Sequence, residues 1–302
     1  MGRNIISKLF GKTAPQKSTY NAKYDFEADG IYYNIISIDD MTCKVTLGEV
    51  PYTGMVVIPQ EVKYQDKTFN VTDISNTFAH NRKITGIVLP NTITRLKLFC
   101  FVGCYSLDEV KIADGDKPLV MENDAFCNAP LQKLHIGRDI AYTDREASDS
   151  QFSGSLLSTV TMGEGVTALN NAMFKNCTYL SSVTLPRGLK KIGRSAFKGC
   201  KSLPELDIPD NVTEIEDEAF ANCEKMKQIT FGENLSRLGR NVLKDCTSLD
   251  TIVCRCLQPP YIDEETFTNR EYVKATLRIK SGMTERYKTN GYWTKFWKTE
   301  EE

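Results

Sequence analysis

The stretch IGRSAFKGCKSLPELDIP, from Ile192 to Pro209, decides how this chain folds. Its pattern returns on either side. An aliphatic residue opens each copy, at Leu169, Ile192, Ile215 and Leu238. A large apolar residue follows five positions on, at Phe174, Phe197, Phe220 and Leu243. A cysteine stands three beyond that, at Cys177, Cys200, Cys223 and Cys246. Every column steps by 23 residues. Each copy closes on an L-x-x-V-x-L run, as in Leu203, Leu206 and Ile208. Alternation there turns Leu206 and Ile208 to one face and Glu205 and Asp207 to the other, the pattern of a short strand. Pro209 has no backbone donor and suits the strand's end.

A fixed period of about 20 to 29 residues with such a core predicts a leucine-rich repeat solenoid. The expected form is an α/β-type horseshoe or arc of mostly short parallel strands. The half from Ile192 to Cys200 turns the chain back across the interior, with Phe and Cys filling it at matching heights. One unit buries too little apolar surface to stand alone, so stability is shared between stacked neighbours.

Working outward, the register loosens. Ile74, Phe78, Ile84, Ile87 and Leu89 make a degenerate copy, and Leu96, Phe101, Cys104, Leu107, Val110 and Ile112 make the next. Around Phe126 and Phe152 the period stretches, and residues 137–151 read as a polar loop inserted on the solenoid edge. Residues 24–73 read as an N-terminal β cap, with a hairpin over Val62–Val71. Residues 74–256 read as the solenoid, and 257–302 as a C-terminal cap that begins at the Pro259-Pro260 break. In that cap Thr276–Ile279 reads as a strand, and a short helix is expected after Ser281 or Thr284 as N-cap. Trp293, Phe296 and Trp297 read as an aromatic plug for the last coil, with a sugar platform on Trp293 and Trp297 as the sharper alternative. Residues 1–23, basic and without an acid, read as a flexible tail.

Composition narrows the function. The net charge of −1, from 38 basic and 39 acidic residues, argues against nucleic acid as the main partner. No apolar run approaches the roughly 18 residues a membrane span needs. No Walker loop, no G-x-G-x-x-G after a strand, no H-E-x-x-H and no G-x-S-x-G occurs. Two histidines, His80 and His135, leave little for general-base catalysis, so no enzyme, cofactor or metal site is expected. Of the ten cysteines, those in the repeat column read as reduced, buried core thiols. Cys254 and Cys256 are expected to face opposite sides of a strand, one of them outward.

The repeat I-G-x-x-A-F-x-x-C-x-x-L-x-x-x-x-I-P closely resembles the BspA-type leucine-rich repeat family. Ile192, Gly193, Ala196, Phe197, Gly199, Cys200, Leu203 and Pro209 match it, and Ile215, Ala219, Phe220, Cys223 and Met226 match it again. The flanks Asp29–Tyr33 and Gly54–Pro59 resemble its usual lead-in, and Ser281-Gly282 with Tyr287, Trp293 and Phe296 resembles its usual ending. The resemblance implies a cell-surface or secreted protein that binds other proteins, host proteins included, in adhesion. It implies no catalytic residues. No signal peptide is legible, and the thiol column fits a reducing or buried setting.

The alternation places polar side chains along one outward sheet face: Glu109 and Lys111, Lys133 and His135, Thr159 and Thr161, Ser182 and Thr184, Glu205 and Asp207, Gln228 and Thr230. Eight strands at roughly 4.8 Å spacing predict a continuous face about 35 Å long. Such a face suits a protein partner first, with an extended glycan or a structural, assembly role as alternatives.

Overall fold

Phe78, Phe101, Phe126, Phe152, Phe174, Phe197 and Phe220 stack ring on ring, each 5.0–6.1 Å from the next. This ladder is the axis of the solenoid in the computed structural model, which describes residues 24–122, 125–126, 129–142 and 152–302. The tail over 1–23, residues 143–151 of the insertion and Cys127 lie outside the described residues. Ile192, Phe197, Cys200 and Leu203 are buried, as are their counterparts one coil either side. The repeat register read from the sequence is the register of the core.

The return segments differ from an α/β horseshoe in that they are not helical. Ala172, Asn176, Ser195, Gly199, Glu218 and Asn222 all take positive φ. Left-handed residues four apart interrupt any right-handed helix. In exchange, the return segments hydrogen-bond from coil to coil. The Ser195, Phe197 and Gly199 amides donate to the carbonyls of Asp217, Ala219 and Ala221 at 2.9, 2.8 and 2.8 Å. Two-residue strands, Ala168–Leu169, Lys191–Ile192, Glu214–Ile215 and Arg237–Leu238, add a parallel ladder beside them.

The expected continuous sheet is in fact two. The first runs in parallel from Gly54–Val57 through Ile84–Leu89, Glu109–Ile112, Lys133–Arg138 and Thr159–Gly165 to Ser182–Thr184. The second runs from Glu205–Asp207 through Gln228–Phe231, Thr251–Cys254 and Thr276–Ile279 to Lys298–Glu301. A proline stands at the break. In each coil, the amide just before the strand donates to the carbonyl of its counterpart one coil back. Thus Gln132 bonds Asp108, Ser158 bonds Gln132 and Ser181 bonds Ser158, at 2.9, 2.8 and 3.0 Å. The next residue in the column is Pro204, which has no N–H to give. Among the described residues, no backbone hydrogen bond joins Ser182–Thr184 to Glu205–Asp207. The ladder resumes at once, because Pro204 still accepts from Lys227 at 2.7 Å.

At the start of the chain, Phe26–Ala28, Ile31–Ser37, Thr42–Thr46, Lys67–Asp73 and Glu61–Tyr64 form a separate five-stranded sheet that includes the expected hairpin. Gly54–Val57, in the same segment, is already the first strand of the solenoid sheet. The expected loop from residue 137 is partly ordered structure. Gly137 and Arg138 end a strand, and Ile140–Tyr142 pairs with Leu119–Met121. Arg138 is buried, and its guanidinium donates to the carbonyls of Pro90, Asn91 and Ile93 at 3.2, 2.8 and 2.7 Å. At the far end the helix Thr284–Lys288 starts from Met283, not from Ser281 or Thr284. The helix Asn269–Lys274 was not anticipated, although Thr268 and Glu271 spell its capping box.

Candidate functional site

The two sheets carry two rows of outward side chains. One row aligns Glu109, Lys133, Thr159 and Ser182; the other aligns Lys111, His135, Thr161 and Thr184. Lys111 pairs with Glu109 at 2.9 Å, and His135 Nδ1 lies 2.9 Å from Thr161 Oγ1. Past the break the rows resume as Glu205 and Gln228, and as Asp207 and Thr230. The structure therefore brings the expected residues onto one face, in two blocks.

Thr230 departs from expectation. It is buried, with 2% of its surface exposed. It is a short side chain in the interior of the second sheet, with Asp207 and Val253 opposite it on the neighbouring strands. The rows also run beyond Gln228 and Thr230. Thr251, Thr276 and Lys298 extend one, and Arg278 and Glu300 extend the other beyond the buried Val253. The alternation in Thr276–Ile279 was the available signal; assignment to a cap hid it. Lys298 and Arg278 hold the Glu300 carboxyl below the usual carboxylate range.

At the break the two blocks part around a cleft of about 650 Å³. Leu185, Arg187, Asp207, Ile208, Asn211 and Arg255 line it. Val183 and Leu185, core positions by pattern, are only half-buried there. Arg255 reaches the cleft across Gly232, its counterpart one coil back. A Cβ on Gly232 would come within 2.6 Å of the Asp210 backbone, so that coil offers no side chain to block it. Asn211 Nδ2 donates to the Arg187 carbonyl at 2.9 Å and ties one wall to the other.

Trp293 and Trp297 form no joint sugar platform. Trp293 is buried among Phe267, Tyr287 and Phe296, and its Nε1 donates to the Pro260 carbonyl at 2.8 Å. Trp297 alone is exposed. Cys254 and Cys256 do not face opposite sides either; both are buried. The strand ends at Cys254, and the turn after it brings the Cys256 sulfur inward to meet that of Cys254. Among the described residues, no group of three or more His, Cys, Asp or Glu side chains is placed to hold a metal ion. No helix among them is long and apolar enough to cross a membrane.

The model of the BspA type leucine rich repeat region matches residues 72–147 and 145–274, in six copies. The chain belongs to the BspA-type leucine-rich repeat family. No curated protein matches it. Among solved structures, this BspA-type chain is similar to a leucine rich cell surface protein from Faecalibacterium prausnitzii A2-165, at 18% identity over 76% of this chain and 94% of that one, with a TM-score of 0.36. It is similar to the leucine rich repeat protein of T. pallidum at 20% identity over 74% and 90%, with a TM-score of 0.45. It is also similar to the pneumococcal vaccine antigen PcpA at 17% identity over 88% and 96%, with a TM-score of 0.41.

Proposed function

We propose that this chain is a non-enzymatic scaffold that binds a protein partner through the outward face of its two sheets, at the cell surface and in adhesion. The carrying observation is the pair of side-chain rows from Glu109 and Lys111 to Lys298 and Glu300, broken at Pro204 and, in one row, by the buried Thr230 and Val253. Both signs of charge alternate along them, which favours a complementary protein surface over a polyanion. Family membership supports the reading, because solenoids of stacked repeats present extended faces for binding. The caps at 24–73 and 257–302 shield the end coils in this reading.

The test is charge reversal at Lys111, Lys133, Glu205, Asp207 and Arg278 together, with a partner first captured from the native environment. Loss of at least tenfold in affinity, with an unchanged circular dichroism spectrum, is expected. Full affinity in the reversed variant overturns the assignment.

A further inference from the structure

The last full coil breaks the pattern of its predecessors in one place. Cys254 ends the strand Thr251–Cys254 in register with Phe231 on one side and Ile279 on the other. The chain then turns, with the Arg255 amide donating to the Phe231 carbonyl at 3.0 Å. Cys256 falls in the column that Glu233 and Asp210 occupy one and two coils earlier. Those two are polar and not buried; Cys256 is fully buried. Its sulfur lies 3.2 Å from that of Cys254 and 3.3 Å from the Gly232 carbonyl oxygen. From the other side, the buried Tyr287 of the helix Thr284–Lys288 donates its hydroxyl to Cys254 Sγ at 2.9 Å.

We propose that Cys254 and Cys256 are a modification site, a dithiol that closes to an intrachain disulfide by exchange with a small disulfide such as glutathione disulfide. The geometry separates this pair from the repeat column. Cys200, Cys223 and Cys246 each direct the S–H at a phenylalanine carbonyl one coil back. Equivalent side chains in stacked coils run parallel, whereas a disulfide needs its two arms turned towards each other at a dihedral near 90°. Cys254 and Cys256 sit on one short loop with their sulfurs in contact, so bond formation needs only a local closure.

The two thiols are also unlike each other. Burial acts to raise the Cys254 thiol, but hydrogen bonds from Cys256 and Tyr287 outweigh it and leave the thiol below its usual range. The neighbouring Cys254, together with burial, pushes Cys256 far up. Cys254 lies directly under Tyr287, so it is the sulfur uncovered when that helix lifts, and it is assigned the first attack. When the helix Thr284–Lys288 lifts, the Cys254 thiolate attacks one sulfur of the small disulfide. A mixed disulfide forms and one thiolate leaves. Cys256 then loses its proton and attacks the Cys254 sulfur, which expels the second thiolate. Two electrons pass from the pair to the small disulfide, and the two thiol protons end on the two released thiols. The pair is thus open in a reducing compartment and closed in an oxidising one.

The experiment uses the full reduced chain in excess glutathione disulfide near neutral pH, quenched by alkylation under denaturing conditions and mapped by peptide mass spectrometry. One disulfide is expected, between Cys254 and Cys256. It should form at least tenfold faster than any modification of Cys104, Cys177, Cys200, Cys223 or Cys246. In Cys256→Ser the second step is impossible, so Cys254 should accumulate as a mixed disulfide with glutathione. A wild-type pair that still takes two alkyl groups, under conditions that oxidise the urea-unfolded chain, overturns the proposal. So does a first disulfide that maps to the repeat column.

Discussion

The thiol of Cys200 donates to the carbonyl oxygen of Phe174, one coil back, at 3.2 Å. The same bond joins Cys104 to Phe78, Cys177 to Phe152, Cys223 to Phe197 and Cys246 to Phe220, at 3.0–3.3 Å. The cysteine column is thus a ladder of donors as well as apolar fill. Cys200→Ala should cost about 1 kcal/mol, since the S–H donor is lost while the Phe174 carbonyl keeps the Cys177 amide at 3.1 Å. Urea unfolding checks this. Cys200→Ser should recover part of the loss if the donor matters. A serine variant less stable than the alanine variant would reduce the column to packing alone.

The same burial predicts alkaline sensitivity. Burial pushes the Cys177 thiol up to about 11, and Cys104 likewise to about 11, from an ordinary value of 9.0. The folded state therefore keeps protons that the unfolded state sheds above pH 9. Stability from these groups is whole below about pH 9 and falls as pH rises towards 11. Cys177→Ser removes one such proton. Its unfolding midpoint should fall less steeply with pH across that window than that of the wild type.

Phe197 stacks 5.4 Å from Phe174 and 5.6 Å from Phe220. Phe197→Ala should cost about 3–5 kcal/mol, the usual range for a buried phenylalanine. Coils couple to their neighbours, so the loss should be local. Hydrogen exchange should quicken in residues 169–231 and change little in the N-terminal sheet.

Pro204→Ala restores the missing donor opposite Ser181. If the proline alone holds the sheets apart, the new amide at 204 should be protected from hydrogen exchange, as its counterparts at Ser181 and Lys227 are expected to be. Rapid exchange at 204 would mean that the coil packing, not the missing N–H, opens the cleft.

Arg138 supplies donors to three carbonyls of the turn at 90–93 from a fully buried position. Arg138→Met keeps the apolar stem and strips the donors, so about 1–3 kcal/mol per orphaned group is at stake. Thermal unfolding should show a clear loss. Arg138→Lys should not restore stability fully, because one ammonium cannot reproduce the guanidinium's planar fork.

The sequence by itself determined the repeat, its register and its core. A fixed 23-residue step gives every coil the same surroundings, so periodicity in type becomes periodicity in burial. That is why Phe197, Cys200 and Leu206 lie where the columns place them. Tertiary structure alone decided what depends on the neighbouring coil. Pro204 was legible as a residue, but its missing N–H matters only because a carbonyl of the preceding coil waits for it. Thr230 alternates outward like Thr184, yet its place between Asp207 and Val253 buries it. Trp293 looked like a ligand platform until Phe267, Tyr287 and the Pro260 carbonyl claimed it. Cys254 and Cys256 meet because the chain turns inward after the strand, under a helix brought there from 30 residues further on. A one-dimensional pattern records which face a side chain takes. It does not record what stands opposite that face, and burial and reactivity are settled there.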